Sequence, residues 1–208
     1  MSSMASLSRI TFRHMYRLQK EFNTHLSIFQ GITVWFTGLS GAGKSTICQL
    51  VKDKLSAVRF SVEILDGDEV RKHLCAELGF SQEDRFKNIE RAAFIAKLLS
   101  RNHIIVLASF ITPYKAMRDY LKHELDPFVE VYVKCSLKEC IHRDVKGLYR
   151  RALDGEVVQF TGISDPYEEP EHPDLMIDTE FETSEKSALK VLAYLRQQGF
   201  IHFDEEMK

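Results

Sequence analysis

Gly38-Leu39-Ser40-Gly41-Ala42-Gly43-Lys44-Ser45-Thr46 fits the pattern G-x-x-x-x-G-K-[ST] without a gap. Ile32 to Thr37 leads into it as an apolar, β-branched strand, and Ile47 to Leu55 follows as a helix. Strand, glycine loop and helix are the context this motif needs. Its glycines let the backbone curl until successive N–H groups face phosphate oxygens, and the helix N-terminus adds partial positive charge. The run Gly38 to Thr46 is therefore the expected ATP-binding loop. Lys44 is placed to reach the β/γ-phosphates, and the Ser45 hydroxyl to ligate Mg²⁺.

Outward from the loop, strands and helices alternate. Ser61 to Leu65 reads as a strand ending at Asp66-Gly67-Asp68, Glu69 to Glu77 as a helix, and Glu83 to Arg101 as a long helix with Ile89, Ala92, Ala93, Ala96 and Leu99 near helical spacing. Ile104 to Ala108 is a continuous apolar strand of the kind buried on both faces. A helix from Pro113 to Glu124, a strand from Phe128 to Val133, a short helix capped by Ser136, an edge strand at Leu175 to Ile177 and a closing helix from Ser184 to Gln198 complete the pattern. The alternation predicts an α/β fold: a P-loop NTPase-type three-layer αβα sandwich around a mostly parallel five-stranded sheet. Between residues 143 and 173 the pattern dissolves into a polar, basic, Gly/Pro-punctuated stretch, and a loop of that length reads as a lid.

Chemistry beyond the loop gathers at Asp66-Gly67-Asp68, at the C-terminal end of the second strand, where open α/β sheets bind ligands. Asp66 can join Mg²⁺ coordination or accept a proton from an attacking hydroxyl. Read alone, the same triplet is equally a turn. Arg71, Arg85 and Asn88 follow on the next helices and form a candidate anion clamp, with solvated surface charge as the alternative for any single arginine. Arg143, Lys146, Arg150 and Arg151 make the expected lid basic, and Arg143 is assigned to the ATP side. Phe80 and Phe160 sit in loop-like settings and suit base stacking or ordinary packing alike. No N-K-x-D segment and no Asp at the end of the Ile104–Ala108 strand are present, which points away from GTPases and towards small-molecule kinases.

At 208 residues, 44% hydrophobic and 28% charged, the chain is sized and composed for one soluble domain. A net charge of −2 argues against general nucleic-acid binding. No run approaches a membrane span. Cys48, Cys75, Cys135 and Cys140 show no metal-type spacing and read as buried thiols in a reducing compartment. Residues 1–30 stand apart as a basic extension: Arg9, Arg13, Arg17 and Lys20 precede any acidic residue. That composition suits a transit peptide; an N-terminal extension of a cytoplasmic domain spanning 31–208 is preferred.

Taken in order, these blocks resemble the adenylylsulfate kinase (APS kinase) family. The resemblance is carried by the glycine loop, Leu65-Asp66-Gly67-Asp68, Leu78-Gly79-Phe80-Ser81 with Asp84-Arg85 and Asn88-Ile89, and Phe110-Ile111-Thr112-Pro113. Arg143 to Tyr149 and Phe160-Thr161-Gly162-Ile163 with Tyr167-Glu168 complete it. The resemblance implies phosphorylation of the 3′-hydroxyl of adenosine 5′-phosphosulfate (APS) by ATP, giving PAPS and ADP. By the same resemblance Phe80 and Phe160 sandwich the acceptor's adenine. Asp66, Asp68, Arg71, Arg85, Asn88, Ile111, Thr112 and Lys146 hold the rest of it, with Lys44, Asp66 and Lys146 catalytic and Ser45 and Asp66 at the Mg²⁺. It further implies a homodimer coupled to a separate ATP sulfurylase. Two positions depart from the family pattern. Thr112 stands where the family carries a serine credited with forming a phosphorylated intermediate, a role that direct in-line transfer does not need. Glu69 replaces an asparagine and brings negative charge towards an anionic substrate if it points inward. A kinase for another small hydroxyl, such as a nucleoside or sugar acid, and a nucleotide-binding subunit without transfer are the competing readings.

Overall fold

Thr33-Val34-Trp35-Phe36-Thr37 is buried at every position, which places this first strand (β1, Thr33–Thr37) at the centre of the sheet. The computed structural model describes residues 31–202, so the basic extension expected at 1–30 lies outside the described residues. Four more strands join β1: β2 (Val62–Asp66), β3 (Ile105–Ser109), β4 (Phe128–Lys134) and β5 (Leu175–Asp178). Their order is β2-β3-β1-β4-β5, and every neighbouring pair is parallel. β3 is as buried as β1, and β4 nearly so, as their continuous apolar runs require. The edge strands are only partly covered: Met176 on β5 is 54% exposed.

Helices cover both faces. α1 (Lys44–Ala57) and α7 (Ser184–Gln197) pack together on one side, over a core that includes Val34, Phe36, Ile47, Val51, Leu107, Val131 and Leu195. On the other side lie α3 (Gln82–Ser100) and α4 (Lys115–Glu124), over Trp35, Val106, Ala108, Ile89, Ala96, Met117 and Leu121. α2 (Gly67–Leu74) follows β2, and α5 (Leu137–Arg143) follows β4. Ser81 and Ser136 start α3 and α5 by accepting from Asp84 N and Glu139 N at 3.1 and 3.2 Å, as the sequence suggests for Ser136. The four cysteines are free and buried, as their spacing suggests.

Four differences from the sequence reading each have a physical reason. α2 spans Gly67–Leu74 rather than Glu69–Glu77, because the Asp66 side chain caps it by accepting from Asp68 N. α1 begins at Lys44 rather than Ile47, because Gly43 takes the left-handed conformation (φ 95°) at the N-cap and turns the loop directly into the helix. α4 begins at Lys115 rather than Pro113: the carboxylate of Glu168 accepts from Lys115 N at 2.5 Å, capping the helix from a distant segment. The polar stretch after α5 contains a helix, α6 (Leu148–Leu153), which the sequence pattern does not announce. Asp144 supplies its cap, accepting from Tyr149 N and Arg150 N at 3.0 Å each.

Candidate active site

The carboxyl ends of β1, β2 and β3 converge with the glycine loop on a cavity of about 560 Å³. This is the edge at which parallel α/β sheets place their ligands. Of the residues singled out in the sequence, Ser40, Gly41, Gly43, Lys44, Ser45, Thr46, Asp66, Asp68, Arg71, Phe80, Arg85, Asn88, Ile111, Thr112, Lys146 and Phe160 all line it. Arg150 and Arg151, exposed on α6, do not line it, and neither do Gly38, Leu39, Ala42 and Arg143.

Those four support the loop instead. Gly38 comes so close to β4 that a Cβ there would lie 2.4 Å from the Val133 carbonyl oxygen, so no larger residue fits. The carbonyls of Gly38 and Leu39 accept from Lys44 Nζ at 3.0 and 2.8 Å. Burial of the ammonium pushes its pKa down to about 8; Lys146 nearby acts in the same direction. Ala42 O accepts from Thr179 Oγ1 at 2.9 Å, and Arg143 NH2 donates to Thr179 O at 2.7 Å. Arg143 thus reaches the loop through Thr179.

Ser45, on the first turn of α1, donates to Asp66 Oδ2 at 2.7 Å and lies 3.1 Å from Ser109 Oγ. The other Asp66 oxygen caps α2 by accepting from Asp68 N at 2.9 Å, which fixes the carboxylate in direction. Two hydroxyls and one carboxylate form an all-oxygen set suited to Mg²⁺, which is commonly held by one or two carboxylates together with substrate phosphates. Among the described residues no three His, Cys, Asp or Glu side chains converge on a metal site.

A second lobe of the cavity is cationic and aromatic. The Phe80 ring, 48% exposed, is covered by the Arg71 guanidinium at 4.6 Å and approached by that of Arg85 at 5.6 Å. Burial lowers the pKa of both, and for Arg71 the charge of Arg85 adds to the effect. Each also ties down backbone: Arg71 donates to Gly79 O at 2.8 Å, and Arg85 to Phe80 O at 2.9 Å and to Gln159 O. The buried Asn88 Oδ1 and Thr161 Oγ1 on this wall have no hydrogen-bond partner among the described residues. Buried polar atoms left open at a cavity wall call for a partner from the ligand or from water. Glu69 is exposed on α2 and does not line the cavity, so its charge is not turned towards the lobe.

Thr112 is 1% exposed and has φ +47°, a conformation rare for a β-branched residue. Its hydroxyl accepts from Trp35 Nε1 at 2.8 Å. Lys146 is paired with Asp68 across the cavity mouth, both side chains more than half exposed. Phe160 is 9% exposed and packs edge-on against Tyr149, with ring centroids 5.0 Å apart.

The sequence profile of the family described as Adenylylsulphate kinase matches residues 30–178. The chain belongs to the adenylylsulphate kinase family. A relative from Halothermothrix orenii named adenylyl-sulfate kinase is 52% identical over 178 residues, covering 86% of this chain and 96% of its own. The structure of the Mycobacterium tuberculosis APS kinase CysC in complex with AMPPNP and APS superposes with a TM-score of 0.78. It shares 40% identity and covers 80% of this chain and 98% of its own. A Sorangium cellulosum relative, named a probable bifunctional SAT/APS kinase, is 49% identical over 82% of this chain but only 29% of its own length.

For this adenylylsulphate kinase the sequence reading assigns no role to Ser109, Tyr149, Thr179 or Trp35, which the structure places in the site and its supports. Tyr149 OH donates to Ser40 O at 2.9 Å and so joins α6 to the glycine loop. Ser109 lies one residue past the strand read from the apolar run Ile104–Ala108, at a position that draws notice only for the aspartate it lacks. A hydroxyl at a strand end carries no pattern that marks it in advance.

Proposed function

We propose that this chain transfers the γ-phosphoryl group of ATP to the 3′-hydroxyl of APS, giving PAPS and ADP. The observation that carries this reading is the two-part cavity. A phosphate-binding loop with Lys44, Ser45 and Asp66 opens into a lobe where an exposed phenylalanine and two guanidiniums meet. An adenine and a phosphosulfate ask for that combination; a nucleoside lacks the anion and a sugar acid lacks the base. The solved relative in complex with AMPPNP and APS supports the same assignment.

In this reading the loop N–H groups and Lys44 hold the β/γ-phosphates, with Lys44 leaving its carbonyl partners to do so. Bound Mg²⁺, held through Ser45 and Asp66, would neutralise charge on the transferring phosphoryl group. Asp66 accepts the proton of the attacking 3′-hydroxyl. Phe80 stacks on the acceptor's adenine with Phe160 opposite, and Arg71, Arg85 and Asn88 hold its anionic and ribose parts. Lys146, at the mouth, exchanges Asp68 for substrate oxygens, and residues 143–173 act as the lid. Transfer is direct. The Thr112 hydroxyl is buried and held by Trp35, which supports a wall role rather than a phosphoenzyme.

We further assign the domain to residues 31–208 and place the enzyme in the cytoplasm as a homodimer. APS comes from an ATP sulfurylase activity, and a relative named a probable bifunctional SAT/APS kinase supports that coupling. The test is a coupled ADP-release assay with APS against nucleosides and sugar acids. Turnover confined to APS is expected, and faster turnover of a sugar acid would overturn the reading.

A further inference from the structure

Arg118 on α4 and Glu130 on β4 are buried charges, 5% and 2% exposed, that the proposed transfer does not use. Arg118 Nε lies 3.3 Å from Glu130 Oε1, an ion-pair contact without a hydrogen bond, and Lys122 Nζ lies 2.7 Å from Oε2. A buried pair of this kind is often no more stabilising than apolar residues of the same volume. Its position shows a more particular use. Arg118 NH1 donates to the carbonyl of Thr112 at 3.1 Å. Glu130 sits in register opposite Trp35, whose indole holds the Thr112 hydroxyl. Thr37, two residues along the same strand, donates to the Ile111 carbonyl at 2.7 Å, and Gly38 N donates to it at 3.3 Å. The residue with left-handed φ is thus fastened at its hydroxyl, its own carbonyl and the carbonyl before it. A trans peptide points its N–H opposite to its C=O. Holding the Ile111 carbonyl against β1 therefore turns the Thr112 N–H away from β1, and both residues line the cavity.

We propose that the Arg118–Glu130 pair is a positioning device for the acceptor lobe. Lys122 anchors the Glu130 carboxylate, whose charge holds the guanidinium, and the guanidinium holds the Ile111–Thr112 wall in its strained conformation through the Thr112 carbonyl. The pair touches no substrate, and the inference rests on that lobe being the APS site.

The test uses Arg118→Met, Glu130→Met and the double variant in the full chain. Arg118→Met should raise the KM for APS about tenfold or more while the KM for ATP stays within about twofold. It should also shift the emission of Trp35, the single tryptophan of the chain, because its hydrogen-bond acceptor moves. The double variant leaves no unpaired buried charge, so it should regain thermal stability relative to either single variant. It should nonetheless keep the raised KM and the shifted emission. If the single variants are insoluble, the double variant alone carries the test. A double variant with wild-type APS KM and wild-type Trp35 emission would overturn the proposal and make the pair a packing element only. If the wild-type protein does not turn over APS, the functional reading falls, and the emission measurement still decides whether the pair holds Thr112.

Discussion

Phe80 and Phe160 look alike in the sequence, and the structure predicts that their truncations behave differently. Phe80 is half exposed and touches mainly the two guanidiniums. With the ring half exposed, two cation–π contacts of about 0.5–1 kcal/mol each set the loss in Phe80→Ala at about 1–2 kcal/mol. At about 2–4 °C per kcal/mol for a chain of this length, the melting temperature should fall by only a few degrees. Phe160 is buried against Tyr149, and truncating a buried phenylalanine costs about 3–5 kcal/mol, on the order of 10 °C or more. Stacking on adenine is worth about 1–3 kcal/mol per ring, so Phe80→Ala should raise the KM for APS by about fivefold to 150-fold. The KM for ATP, which is held through its phosphates, should stay within about twofold. Thermal melts and coupled ADP release on the same preparations separate the two effects. A Phe80→Ala enzyme that is stable and keeps its KM for APS would refute the stacking role. The acceptor lobe would then have to be assigned on its arginines alone.

Asp66→Asn should lower kcat by about a hundredfold or more, on the order of general-base catalysis, with little change in calorimetric APS affinity; lost affinity at unchanged kcat would make Asp66 a binding residue. Lys44 has a pKa lowered by burial to about 8, so below that pH it is charged whether or not phosphate is bound. Phosphates restore the charged form, so ATP binding should take up a proton above about pH 8 and weaken as pH rises through that value. Calorimetry at about pH 8.5 in buffers of different ionisation enthalpy measures the uptake, which should vanish in Lys44→Ala along with turnover; uptake persisting in that variant would assign the proton elsewhere. Thr112→Val strips the acceptor from a buried indole N–H and should cost about 1–3 kcal/mol of stability while turnover survives. Stoichiometric labelling of Thr112 by ATP in the wild-type protein, with no turnover in a folded Thr112→Val, would establish a phosphoenzyme.

The elements that the sequence discloses are those whose cause is local. Ile105–Ser109 is buried on both faces and says so in its unbroken apolar run, and the glycine loop announces both its conformation and its ligand in nine consecutive residues. What stays hidden depends on partners far apart in the chain. Trp35 and Thr112 are 77 residues apart, and Ser40 and Tyr149 are 109 apart. The start of α4 escapes a reading of the sequence because its cap comes from Glu168, and α6 escapes it because six residues are too few to show a helical period. Nothing in the sequence singles out Arg118 or Glu130. Only the meeting of α4 with β4 makes them a buried pair.

The same distinction explains why the acceptor lobe is only half legible in the sequence. Residue types give its chemistry: two arginines, an asparagine and two phenylalanines suit an anionic nucleotide. They do not give its mechanics. Arg71 and Arg85 hold the carbonyls of the segment that carries Phe80, and Arg85 also holds Gln159 O, next to Phe160. The ring and the charges are therefore fixed by one set of hydrogen bonds. An anion that displaces either guanidinium from these carbonyls loosens the Phe80 segment, and Arg85 passes that change on to the residue beside Phe160. In the proposed reading charge recognition and base stacking are therefore coupled, and truncations of Arg71 and Phe80 are expected not to act independently.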